Sequence, residues 1–166
     1  MAFLPNKGVD NADVRYAVIN NSATVKKGGA LIPVAGSTPI AGAGAANVLL
    51  LGVCLGIVGD KGKVLEKDSF TAAADNLTVA MVQVAYLPAF IPMTYTGTLD
   101  AAAGTTSNSG GIAVFNLASD ILVDESTVTA YTTAENMAVF SYGLTGRNTT
   151  EVDVRFINTG VGYNLA

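Results

Sequence analysis

Two pairs of carboxylates stand close enough in this sequence to invite chemistry: the adjacent Asp124 and Glu125, and Glu151 with Asp153. A pair of carboxyl groups can divide the work of general acid and general base between them. Adjacent residues on a strand point to opposite faces, which separates Asp124 from Glu125, whereas Glu151 and Asp153 share a face with Arg155. Three alternating charges on one strand face form a solvated ladder more simply than an active site. The chain contains no histidine. That removes the commonest general base, the usual metal ligand and both Ser-His and Cys-His nucleophile pairs. Cys54 is the single cysteine, so neither an intrachain disulfide nor a zinc-thiolate cluster can form, and its neighbours Val53 and Leu55 make it read as a small buried hydrophobe. No catalytic residue, metal ligand or cofactor-binding residue is assigned. The chain reads as a non-enzyme that needs no cofactor.

Glycine patterns give no phosphate site either. Gly42 and Gly44 lack the third glycine and the preceding strand of a dinucleotide loop, and the run from Gly59 to Lys63 lacks the Gly-Lys-Ser/Thr ending of a phosphate loop. Tyr86, Tyr95, Tyr131 and Tyr142 are too scattered for a base-stacking platform. The net charge is −4, and nine Lys and Arg are spread thinly along the chain. Direct nucleic-acid binding needs clustered cations that release counterions from phosphates, and is not expected. Asn-x-Ser/Thr triplets at Asn20, Asn76 and Asn148 are those a chain rich in Asn and Thr produces by chance. Residues Met1 to Val9 lack the apolar run of a secretory leader, so synthesis in the cytoplasm is the expectation.

The elements that would carry these residues are strands. Half of the 166 residues are hydrophobic and only 13% are charged, against roughly a quarter charged in an ordinary soluble domain. So little charge leaves apolar surface uncovered on a free monomer, which implies partners. Asp13 to Ile19 alternates as a half-buried strand and ends at the turn Asn20-Asn21-Ser22. Phe70 to Asn76 is short, Ala-rich and reads as a helical turn. Leu77 to Tyr86 resumes a strand with both faces buried, which Pro88 and Pro92 end. Further strands are expected at Ile112 to Leu117, Ser126 to Tyr131, Met137 to Leu144 and Thr150 to Asn158. The resulting fold class is all-β, a barrel or sandwich of about nine or ten short strands with one short helix and an extended N-terminal arm. The organisation is an arm over residues 1–12, a barrel-like core over 13–98, a Gly/Ser/Thr-rich loop or linker over 99–111, and a β-rich C-terminal part over 112–166 that can belong to the same domain.

Between Gly28 and Gly59 there is no charged residue. Residues 40–59 match a transmembrane helix in length, with Gly52 and Gly56 as a GxxxG pair. Only Val48 to Val58 is strongly apolar, however, and eleven such residues do not span a bilayer. The turn formers after Gly59 and the strand-like Lys63 to Glu66 favour a buried hairpin, with Gly52, Gly56 and Gly59 marking bulges or close backbone approach. A membrane role is the less favoured reading.

The runs Tyr16–Gly36 (YAVINNSATVKKGGALIPVAG) and Leu49–Val84 (LLLGVCLGIVGDKGKVLEKDSFTAAADNLTVAMVQV), with the low charge, the Ala/Gly/Val/Thr richness and an N-terminal arm expected to be mobile, resemble the small decoration, or cement, proteins of tailed-phage heads. The resemblance covers about half the chain and rests on style rather than on a diagnostic motif; the Gly/Ala run from Gly36 to Ala46 has no counterpart in it. It implies a virion protein on the capsid exterior that binds the major capsid protein, self-associates as a homotrimer and staples neighbouring capsomers. A tail-tube or head-completion subunit shares the same composition, and a small membrane protein using residues 40–59 is the reading from another class. Phe3, Leu4 and Pro5 in the arm are the expected docking residues, with the alternative that the arm adds an edge strand to its own barrel.

Overall fold

The structure, a computed structural model, describes residues 2–34, 40–44, 49–59, 61–103, 113–127 and 139–157. Strands dominate it. They are β1 (Leu4–Pro5), β2 (Arg15–Val18), β3 (Thr24–Lys26), β4 (Ala30–Pro33), β5 (Ile40–Gly42), β6 (Gly52–Val58), β7 (Val64–Leu65) and β8 (Ser69–Thr71). After them come β9 (Gln83–Pro88), β10 (Tyr95–Thr98), β11 (Ala113–Phe115), β12 (Leu117–Ser119), β13 (Leu122–Val123), β14 (Val139–Leu144) and β15 (Glu151–Phe156). These exceed the expected nine or ten because bulges and tight turns cut several ladders into pieces of two or three residues.

Two sheets stack. A six-stranded sheet runs β2-β9-β6-β4-β5, with β7 also on β6, and a five-stranded sheet runs β1-β10-β15-β14-β11. An isolated bridge between Ile19 and Ile40 brings the two outer strands of the six-stranded sheet together at one end. The all-β class expected from sequence is present, as a sandwich.

The six-stranded sheet is apolar on both faces. Ala30, Val53 and Leu87 turn toward the five-stranded sheet and pack with Phe3, Tyr95, Phe115, Val154 and Phe156. Their strand neighbours Leu31, Cys54, Ile57 and Val84 turn the other way, into a second core closed by Ile19, Val25 and Ala72. Period-two side chains with both sides covered produce the near-continuous apolar run at β6. Residues 40–59 are thus no membrane helix: they supply β5 and β6, and no described helix is long and apolar enough to cross a membrane. Gly52 sits where a Cβ would overlap the Leu87 carbonyl oxygen, and Gly56 falls at the register shift between β6 and β9. The sequence assigns both glycines correctly.

Three expectations are overturned. Phe70 to Asn76 is not helical: Phe70 and Thr71 lie in β8, paired with β3, and residues 74–80 form turns. The helical pieces among the described residues are two short 3-10 turns at Asn11–Asp13 and Glu125–Thr127. The strand expected from Leu77 begins only at Gln83, because the backbone around Asn76 bonds to that side chain instead of to a ladder. The arm is not free. Leu4 and Pro5 pair with Thr96 and Tyr95 as the edge strand β1, and Phe3 is fully buried. Strand β10 pairs with β15 and the first core draws on residues from Phe3 to Phe156, in keeping with the expectation that 112–166 can belong to the same domain. Within the expected linker, Leu99 is buried and bridged to Val123, while 104–111 lie outside the described residues, as do 128–131 of the expected strand Ser126 to Tyr131.

Candidate interaction surfaces

The carboxylates are structural where the structure describes them. Glu151 was expected on a solvated ladder and is instead 5% exposed. The Arg147 guanidinium lies 3.2 Å from its carboxylate and the Thr145 hydroxyl donates to it at 2.8 Å, so the turn before β15 folds over the first rung. Asp153 accepts a hydrogen bond from Asn6 Nδ2 at 2.9 Å, which ties the end of β1 to β15. Asp124 accepts from the backbone and hydroxyl of Ser126 and caps the 3-10 turn, while the Glu125 amide donates to Asp100. The carboxylates of Glu151, Asp153, Asp124 and Asp100 each hold a turn or an edge in place, and no group of three or more metal-ligating side chains occurs among the described residues.

Cys54 is buried, and desolvation pushes its thiol up to about 11; the Gly56 carbonyl accepts from it at 3.7 Å. It stays a thiol at neutral pH and packs as a small apolar group. Tyr95 is core: its ring packs on Phe156 at 5.2 Å, and burial raises its hydroxyl pKa. Asn76 is fully buried. Its Nδ2 donates to the carbonyls of Ile19 at 2.6 Å and Val82 at 3.1 Å, and its Oδ1 accepts from the Val82 amide at 2.9 Å. Both amide hydrogens are engaged inside the protein, which leaves nothing for a glycan at this triplet.

Of the expected docking residues, Phe3 is spent inside the chain. Its ring meets Phe156 edge-on at 5.2 Å over Gly97, where a Cβ would come within 2.9 Å of it. Leu4 remains half exposed and Pro5 partly so, beside Asn6, Thr96 and Asp153 in a polar depression.

Two other surfaces present exposed aromatic side chains. On the outer face of the five-stranded sheet, β14 turns Val139 and Ser141 inward and Phe140 and Tyr142 outward. The two outward rings pack edge to face at 5.2 Å. With Phe90, Ile157 and Arg155 they line a shallow depression of about 490 Å³. Arg155 opposes Phe140 across the ladder and brings a positive charge to the depression. Tyr142 was set aside on sequence as one of four scattered tyrosines; Phe140-Ser141-Tyr142 at strand spacing was the available signal for two aromatics on one face. The second surface lies on the six-stranded sheet. Tyr16 opposes Ala85, and Ala85 opposes Gly56, so small residues form a floor between Tyr16 on one bank and Val64 on the other. The described residues that line this groove of about 450 Å³ are all uncharged.

No protein-family model, curated protein or solved structure matches the chain.

Proposed function

We propose that this chain is a structural virion protein that decorates a phage capsid, binding the major capsid protein from outside, self-associating as a closed oligomer and doing no chemistry. The observation that carries this reading is the aromatic depression of Phe90, Phe140 and Tyr142 on a rigid sheet. Phe90 and Tyr142 are each 47% exposed, in a chain whose charge is too low to keep such surface favourably solvated. Aromatic residues with one nearby arginine are the composition of contact centres between proteins, where they bury large area at small entropic cost. The resemblance to head decoration proteins supplies the partner. Glu151, Asp153 and Asp124 fit a structural role in this reading, since each bonds to a turn or strand.

The test is sedimentation of the purified protein with mature capsid shells produced from the same genome. Binding that saturates at a fixed number of copies per shell, and that Tyr142→Ser weakens, is the expected result. A chain that stays in the supernatant at every concentration overturns the proposal.

A further inference from the structure

The six-stranded sheet is covered by the five-stranded sheet over only part of its outer face. Ala30, Val53 and Leu87 carry that contact. Toward the other end of the same face lies the groove floored by Ala85 and Gly56, with Tyr16 and Val64 more than half exposed on its banks. A Cβ built on Gly56 meets nothing within 4 Å. This glycine is therefore not demanded by internal packing, although glycine weakens a strand. Its missing side chain is what keeps the floor low.

Beside the groove stands an apolar knob. Val79 is 69% exposed and Met81 46%, the former near the end of the turns over residues 74–80 and the latter just after them. The knob is held rigidly. Fully buried Asn76 anchors its base through three side-chain hydrogen bonds, and the Met81 amide donates to the Asn76 carbonyl at 2.7 Å. Met81 is kept at φ 47°, a left-handed conformation that side chains other than glycine rarely adopt. Strain of this kind persists only where the surroundings impose it, and it concentrates where a surface is pre-organised for contact. Pre-organisation lets two large apolar side chains project into water without a further ordering cost on binding.

Knob and groove also match in charge. Lys61 and Lys63, both exposed, flank Gly62 on the bank that carries Val64, and Asp75 stands at the base of the knob, its carbonyl accepting from the amides of Thr78 and Val79. Gln83, two residues beyond Met81, lines the groove, so the two features sit side by side on every copy. We infer that the occupant of the groove is the Val79–Met81 knob of a second copy of this chain, with Asp75 of the incoming copy facing Lys61 and Lys63. The contact joins two different patches, so it is heterologous, and it closes a ring when its rotation divides a full turn evenly. This gives the self-association in the proposed function its surface. It does not depend on capsid binding.

The experiment is light scattering of the purified full chain, without capsids, across the micromolar range. The wild type is expected to run as an oligomer. Val79→Lys removes the knob at a mostly exposed position, and Gly56→Leu fills the floor into open space. Each is expected to shift the association midpoint by at least about tenfold toward monomer, with far-ultraviolet circular dichroism unchanged. Mixed together, the two variants retain one good knob and one good groove and should form a one-to-one heterodimer that grows no further. Lys61→Glu with Lys63→Glu should dissociate the ring, and Asp75→Lys added to that pair should restore it. A monomeric wild type, or variants with the wild-type mass, overturns the inference. Loss of capsid sedimentation with the oligomer intact would instead strike at the decoration role alone.

Discussion

The two sheets of this protein treat their side chains differently. In the six-stranded sheet successive residues of β4, β6 and β9 enter two separate cores, Leu31, Ile57 and Val84 in one and Ala30, Val53 and Leu87 in the other. In the five-stranded sheet only one face is packed: Val139, Val152 and Val154 are buried while Tyr142 and Arg155 reach solvent. The first sheet is therefore a framework with little freedom to vary, and the second is a platform whose outer face can carry aromatic side chains without disturbing what lies beneath. The uncovered corner of the first sheet, at Gly56, is where framework and contact surface coincide. Substitutions should separate framework from surface, with the largest effects in the cores.

Phe3→Ala should be the most damaging single substitution, at about 3 to 5 kcal/mol of lost stability in a urea melt, since it leaves a hole between Phe156 and Gly97 at the junction of both sheets. Deleting residues 2–8 should do at least as much, because it also removes β1 and the Asn6 hydrogen bond to Asp153. If the truncated chain melts at the wild-type temperature, the arm is not part of the framework and the contrast between the sheets fails at its edge.

Asn76→Ala comes next. It strands two buried carbonyls and one amide, so a loss of about 3 kcal/mol is expected, less than the sum of three separate penalties because the turn can open to water. Asn76→Asp should be nearly as costly, since a carboxylate cannot donate to Ile19 and Val82. Thermal melts of both variants decide this. Retained stability in either would mean that the turn is held by its backbone alone.

What the sequence made legible follows the same division. The two-faced burial of β6 was readable because an uncharged apolar run of strand length has no wet side. The wet face of β15 was readable from the alternation of Asp153 and Arg155 with Val154 and Phe156. Contacts between distant segments were not readable. Nothing local tells Phe3 that Phe156 completes its pocket, or Asn6 that Asp153 lies opposite. The Ala-rich run before Asn76 looked helical because propensity is a local quantity, whereas the fate of that segment was set by a buried amide that bonds across to Ile19. Glu151 misled for a similar reason: the strand alternation placed it correctly on the outer face, but Arg147 and Thr145 from the preceding turn close over it. For the surfaces, the spacing of Phe140 and Tyr142 carried a signal, while Phe90 arrives from another element.

Alkaline pH probes the framework more gently. Burial raises the Cys54 thiol from 9.0 in the unfolded chain to about 11 in the fold. A group whose folded value is raised contributes its full share below the unfolded value and loses it as pH rises toward the folded one. Stability should therefore hold up to about pH 9 and decline toward pH 11 by roughly 2 kcal/mol from this residue. Burial also raises Tyr95 from 10.0, so its loss sets in above about pH 10 and overlaps the upper part of the Cys54 decline. Cys54→Ala should flatten the first part of that decline in urea melts repeated at each pH. An identical slope in the variant would assign the alkaline loss elsewhere.

Tyr142→Ser should change stability least and so gives the sharpest contrast with Phe3. The ring stands on the outer face of β14, 47% exposed, and packs edge to face on Phe140 at 5.2 Å. Removing it forfeits an edge-to-face contact in a wet setting, while Ser141 and Gly143, its neighbours along the strand, are buried and keep β14 in register. A shift of no more than about 0.5 kcal/mol is expected, the range of surface changes that touch neither core nor turn. Leaving the free protein unaltered is what makes the variant informative in a binding experiment, because any loss of shell attachment then belongs to the contact itself. A drop in melting temperature as large as that of Phe3→Ala would show that the outer aromatic pair belongs to the framework, and the distinction between a packed face and a presenting face of the five-stranded sheet would no longer hold.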